Sequence, residues 1–258
     1  MPYLGLPCTP AKCRLFANWV ERPIITCLPN LRGVVDIWTP RYLRKFCPLG
    51  SRRQAARRFG VFLLQLKIIK YPHPTLRHKS KPLRLVDAEL KKIIAQMMEL
   101  MYADRGVGLA ANQVDLPYRL FVMNASSDAT DKDGEIVMIN PVITKRGGMV
   151  EAEEGCLSLP EIYGKVRRPG KVTIAAYNLA GQEMEYELTG LLARAVQHET
   201  DHLDGVLFVD RLSESGRLSV KDSLEDLQME FEGDRRRGQI PDDEKIAARL
   251  AELEALRT

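Results

Sequence analysis

His198-Glu199-Thr200-Asp201-His202 sets two imidazoles four residues apart around a carboxylate. On a helix, such positions differ by about 40° in direction and about 6 Å along the axis, so both rings can reach one ion. Glu199 projects beside that ion, about 100° from His198, where it can take a proton from water held there. The chemistry implied is hydrolysis by metal-activated water. The pattern fixes only three residues, and two structural histidines could produce it by coincidence. Its weight comes from its setting. Leu191, Leu192, Ala195 and Val196 are expected to face inward on an amphipathic helix over about 190–203, capped by Thr189.

Two histidines leave such a site short, because a catalytic site usually has three protein ligands and one open position. The metzincin spacing holds through Gly205, but Phe208 stands where its third histidine would fall. The other two histidines, His73 and His78, lie near prolines that predict surface or turn positions. Glu225 and Glu230 are alternatives on a following helix. Cys156, in Glu154-Gly155-Cys156-Leu157-Ser158-Leu159-Pro160, is the better candidate. A thiolate with two imidazoles suits a first-row metal, and a thiolate so engaged is no free nucleophile. Gly155 permits close approach, and Pro160 is expected to end the stretch. Gly106-x-Gly108-x-x-Ala111 superficially matches a dinucleotide loop but follows a helix instead of a strand. It reads instead as a close-approach loop that lets Gln113 meet a substrate beside the metal.

The elements needed to position these residues are legible in outline. Asp87 caps a helix to about Ala103, with Leu90, Ile93, Ile94, Met97, Met98 and Met101 as its apolar stripe. Short strands are expected at 119–124, 135–139, 142–146, 148–153, 171–177 and 183–188, with turns at Gly147-Gly148 and Asn178 to Gly181. Their close spacing implies an α+β fold: antiparallel or mixed sheets packed around a central helix carrying the histidines, plus a C-terminal helix. A further apolar pattern covers about 219–231. Pro241 to Thr258 reads as a charged, peripheral helix with Ile246, Leu250, Leu253 and Leu256 on one side.

Charge divides the chain. Residues 1–65 hold 11 Lys and Arg against two acids, whereas the remainder holds 27 bases and 32 acids. A mildly acidic body gives no reason to expect nucleic acid as a direct substrate. Four of the five cysteines lie in the basic segment, without a CxxC pair, so no zinc module is expected there, and the lone Cys156 of the body argues against a disulfide framework and for a reducing compartment. No run of about 18 apolar residues occurs, so no membrane span is expected. The Arg-rich, acid-poor segment has the composition of an organelle transit peptide. Alternatively it lies outside the working protein, with a start near Val61 at a non-Met codon.

Gly106-Val107-Gly108-Leu109-Ala110-Ala111-Asn112-Gln113, Glu154-Gly155-Cys156-Leu157-Ser158 and Gln197-His198-Glu199-Thr200-Asp201-His202 resemble, in order, the three motifs of the peptide deformylase family. Ile69 to Arg77 is similar to the opening of that family's core. The resemblance spans about 66–232. It makes 65–233 the catalytic domain, 1–64 a basic, disordered extension or mis-set start, and 234–258 a charged helical tail.

The resemblance implies removal of the formyl group from N-formyl-methionyl nascent peptides. Cys156, His198 and His202 would then bind one divalent ion, iron(II) first and zinc(II) as a substitute, with water as fourth ligand. Glu199 would carry the proton, and Gln113 with the Leu157 backbone N–H would stabilise the oxyanion. Gly106, Val107, Gly108, Leu191 and Ala195 would receive the substrate, with Arg194 at the pocket edge and its head reaching solvent. A Glu154–Arg168 pair bracing Cys156 stands beside the simpler reading of a surface ion pair. Also implied are transient ribosome association and a bacterial cytoplasmic location, or an organelle if 1–64 is a transit peptide. Two rival functions are a peptidase cleaving internal bonds and a non-catalytic ribosome-binding protein acting through the basic segment.

Overall fold

In the computed structural model, residues 66–258 are described, and the expectations for residues 1–64 lie outside them. The Asp87 carboxylate accepts from the Leu90 N–H at 2.7 Å and starts helix α1, Ala88–Ala103. This satisfies one of the donors that a helix leaves open at its first turn. Leu90, Ile94, Met97, Met98 and Met101 are buried, so the stripe read from the sequence is the core-facing side.

Strands β1 (Gly108–Ala110), β2 (Leu120–Met123), β3 (Ile136–Gly147), β6 (Lys171–Tyr177) and β7 (Glu183–Thr189) form one sheet in the order β1-β2-β3-β6-β7, antiparallel throughout. Strands β4 (Val150–Cys156) and β5 (Leu159–Arg168) form a separate antiparallel hairpin. Helix α2, Gly190–Leu203, packs on the larger sheet through Ala193, Ala195, Val196 and Leu203. A short α3 (Glu214–Ser219), then α4 (Lys221–Arg236) and α5 (Asp243–Arg257), complete the described chain. The α+β architecture follows the expectation. No described helix is long and apolar enough to cross a membrane.

Several details depart from it. The strands expected at 135–139 and 142–146 are one strand, because the Asn140-Pro141 break is absorbed as a register shift between Ile139 and Val142. β5 had no counterpart among the expected strands, and Pro160 lies inside it instead of ending it. Its inward positions include Gly164 and Arg168 beside Ile162 and Val166, which dilutes the apolar alternation that signals a strand. In a two-stranded hairpin, a proline forfeits little pairing. His73 is no surface residue: it is buried, and its ring stands edge-on to Phe231 at 6.1 Å. Leu191 is exposed, while Ala193 takes an inward position on α2. Thr189 holds the N-cap position of α2 but makes no side-chain cap bond. Helix α5 is docked against the body, with Ile246 and Leu250 buried.

Candidate metal centre

Helix α2 delivers His198 and His202 from one face, and the end of β4 delivers Cys156. Their donor atoms all lie within 4.8 Å of one another. The two imidazole centroids are 4.9 Å apart, and Cys156 Sγ is 3.3 Å from His202 Nε2. A register shift between Gly155 and Cys156 turns the cysteine out of the regular ladder. A thiolate and two imidazoles at this spacing fit a divalent first-row ion. Phe208, in the position a metzincin would give to histidine, stacks on the His198 ring at 6.3 Å.

His198 is oriented from behind. Its Nδ1 is 3.0 Å from Glu154 Oε2, which leaves Nε2 for the ion. Arg168 donates from Nε and Nη2 to both Glu154 oxygens, at 2.6 and 2.9 Å, and from Nη1 to Asp201 at 2.6 Å. Arg211 pairs with the other side of Asp201. Burial raises the Glu154 carboxyl, but hydrogen bonds from His198 and Arg168 outweigh it and hold the group well below the usual carboxylate range. The Glu154–Arg168 pair is therefore buried, not a surface pair. Arg194 also departs from expectation: its head donates to Glu154 at 2.5 Å and to the Val166 and Val150 carbonyls at 3.0 and 2.9 Å. Arg194, Asp201 and Arg211 were not foreseen in this bracing network. Asp201 lies inside the His-Glu-x-x-His motif, and that proximity was the one signal available.

The two imidazoles are electrostatically unlike. Burial lowers His198, yet interaction with Cys156 and Glu154 prevails and pushes it up to about 10. Burial and the neighbouring His198 charge drive His202 well below its usual value. Burial also lifts the Glu199 carboxyl to about 7, within range for moving a proton near neutrality. Glu199 Oε2 and His202 Nδ1 are buried without a hydrogen-bond partner in the described residues. The unpartnered Glu199 oxygen, buried beside a cluster of donors, fits a site built to receive an ion and a substrate.

The opposite wall comes from β1 and the 3-10 turn Ala111–Val114. The Ala110 N–H donates to Gln113 Oε1 at 2.8 Å, which leaves Nε2 pointing at Cys156 Sγ (3.4 Å) and Ser158 Oγ (3.3 Å). Glycine at 108 leaves room for the Glu199 side chain: a Cβ there would stand 2.5 Å from Glu199 Oε1. At Gly106 it would stand 2.7 Å from Leu157 Cδ1. A cleft of about 710 Å³ is lined by Gly106, Val107, Gly108, Gln113, Cys156, Leu157, Leu191, Arg194, Ala195, His198 and Glu199. His202 lies beneath its floor, so the expected site residues converge on one place. The alternatives Glu225 and Glu230 do not belong to this donor cluster.

The family model described as polypeptide deformylase matches residues 65–218. A peptide deformylase of Rhodopirellula baltica is 46% identical over 195 residues, covering 76% of this chain and 96% of the relative. One from Acinetobacter baumannii is 48% identical over 161 residues, covering 62% and 90%. Among solved structures, a plant peptide deformylase is 40% identical with a TM-score of 0.65, covering 70% of this chain and 97% of that one. One from Plasmodium falciparum is 37% identical with a TM-score of 0.63, covering 65% and 98%. With its donor cluster and cleft in place, the chain belongs to the peptide deformylase family.

Proposed function

We propose that this deformylase holds its ion with Cys156, His198 and His202, and works it with Glu199, Gln113 and the Leu157 backbone N–H. The family's substrate is a nascent N-formyl peptide, and its reaction needs a metal. One observation carries the assignment: a thiolate and two imidazoles bring their donor atoms within 4.8 Å of one another beside a cleft lined by Cys156, His198 and the buried, half-unpartnered Glu199 carboxylate. A bound divalent ion supplies Lewis acidity, making water acidic enough to lose a proton near pH 7 and polarising the formyl oxygen. Glu199 accepts that proton and returns it to the leaving amine. Gln113 Nε2 and the Leu157 N–H take up charge that develops on the formyl oxygen. Gly106 and Gly108 let the substrate backbone come close, and Val107, Leu191 and Ala195 flank the methionine side chain. Iron(II) is the resident ion in this reading, and zinc(II) can replace it, since both suit this donor set. Metal analysis of protein purified without air decides between them. A substrate still emerging from synthesis implies transient ribosome association and a cytoplasmic location, or an organelle if 1–64 directs import.

The test offers formyl-Met-Ala-Ser and its unformylated twin. Formate release from the first alone is expected, and internal cleavage without formate would sink the reading. Glu199→Ala should reduce formate release by at least ~10²-fold with metal content nearly unchanged. Surviving activity would remove Glu199 from the proton path.

A further inference from the structure

We propose that Arg249 is a positioning residue for Gln113, and that helix α5 is the clasp presenting it. The proposal rests on the reading of Gln113 as an oxyanion donor. Helix α5 lies beyond the residues matched by the family model, which end at 218. It nevertheless reaches the back of the 3-10 turn that carries Gln113. Arg249 Nη2 donates to the Asp115 carbonyl at 2.7 Å, and the guanidinium pairs with the Asp115 carboxylate. Asp115 closes that turn two residues after Gln113. Its φ of 62° is a left-handed conformation that is uncommon outside glycine, though Asp takes it more readily than most residues. Thr75 Oγ1 donates to the other carboxylate oxygen, so Asp115 is held from two sides.

The same helix secures the segment before the turn. Glu254 bonds His78 Nε2 at 2.8 Å and Lys81 Nζ at 2.7 Å. The buried Asn112 side chain, next to Gln113, donates to the His78 carbonyl at 2.7 Å and accepts from Ser80 Oγ at 2.8 Å. Past the turn, Arg257 donates to the Tyr118 hydroxyl at 2.9 Å. Helix α5 thus holds Asp115 and Tyr118 directly and Asn112 through the His78 segment, while Gln113 itself faces the metal ligands. An oxyanion donor misplaced by about 1 Å loses much of its effect, so a grip behind it reaches the chemistry.

Full-length Arg249→Ala, Gln113→Ala and the double variant form the test, read as kcat, KM and metal content. Arg249→Ala should lower kcat about tenfold, a fraction of the ~10²-fold loss expected from deleting the donor itself. KM and metal content should hold. In the Gln113→Ala background the Arg249 effect should vanish. Arg249→Lys, which keeps the charge, should recover at least about half of the lost kcat. If Gln113→Ala leaves kcat unchanged, the oxyanion reading fails and the proposal with it. If Gln113→Ala is impaired but Arg249→Ala is not, the clasp alone is overturned. An Arg249 effect that persists in the double variant, that follows metal loss, or that Lys does not relieve also overturns it.

Discussion

The two flanks of the cleft are held by opposite means. Behind His198 stands a chain of buried charges running Glu154, Arg168 and Asp201, closed at the surface by the exposed Arg211, with Arg194 joining from the start of α2. Behind Gln113 stand a neutral backbone bond, a buried Asn112 and two glycines whose only contribution is space. The difference follows from what each flank must do. Metal ligands need a fixed direction and a fixed tautomer, which charged hydrogen bonds supply strongly. The substrate flank must admit another backbone within contact distance, which small residues allow and bulky ions would block. Charge returns to that flank only in its outer layer, where α5 meets Asp115, His78 and Lys81.

Arg168→Met breaks the charged flank most directly. Met removes every donor that Arg168 gives to Glu154 and Asp201, taking away the most buried of their cations and leaving Glu154 to Arg194 and His198 and Asp201 to Arg211. Unpairing a buried ion of this kind typically costs about 3–5 kcal/mol. Urea unfolding should show that loss, and competition with a chelator should show metal affinity reduced about 10–100-fold as His198 loses its brace. A stability change below about 1 kcal/mol would mean that Arg194, His198 and Arg211 suffice for Glu154 and Asp201, and the contrast between flanks would collapse.

Gly108→Ala probes the other flank and should separate folding from catalysis. The new Cβ meets the end of the Glu199 side chain, not backbone. A flexible carboxylate can move aside, so unfolding should be nearly unchanged. The displaced carboxylate no longer sits where the proton must be taken, and a shift of about 1 Å can lower the rate ~10²-fold. Steady-state formate release with unaltered metal content is the expected pairing. Equal losses of stability and activity would show that Gly108 is needed for packing instead of approach.

How far these flanks were legible in the sequence differs for the same reason. Cys156, His198, His202, Glu199 and Gln113 sit in short, local patterns, and a helix of 3.6 residues per turn places the histidines without knowledge of the rest. The helix bounds of α2 were therefore read directly. Of the bracing network only the Glu154–Arg168 pair was read, beside the simpler reading of a surface ion pair. Arg194, Asp201 and Arg211 were not, because their contacts depend on how α2 and the chain after it pack on the hairpin, which their positions in the chain do not encode. β5 escaped because its inner face includes a glycine and the buried Arg168. The role of α5 escaped for the converse reason. Glu254 and Arg257 look like surface charges by type, yet both are buried against the body.

The smallest effect tests whether charge in the outer layer of the Gln113 flank matters as it does behind His198. Burial raises the Glu254 carboxyl, but the hydrogen bonds from Lys81 and His78 prevail and lower it below its ordinary value of 4.5. A carboxyl lowered in the folded state stabilises that state above its unfolded value. The contribution is then lost as pH falls through the lower, folded value. Glu254→Gln should therefore be less stable than the parent at pH 7, with the gap closing in acid below about pH 4. Lys81 is largely exposed, so screening limits the gap to roughly 0.2–1 kcal/mol, and added salt should shrink it further. Denaturant unfolding at both pH values measures it. A gap that stays constant with pH would mean that Glu254 acts through shape and neutral hydrogen bonds, making the outer layer of this flank as uncharged in effect as its inner one. A gap of several kcal/mol would instead place a second charged brace behind Gln113, matching the one behind His198.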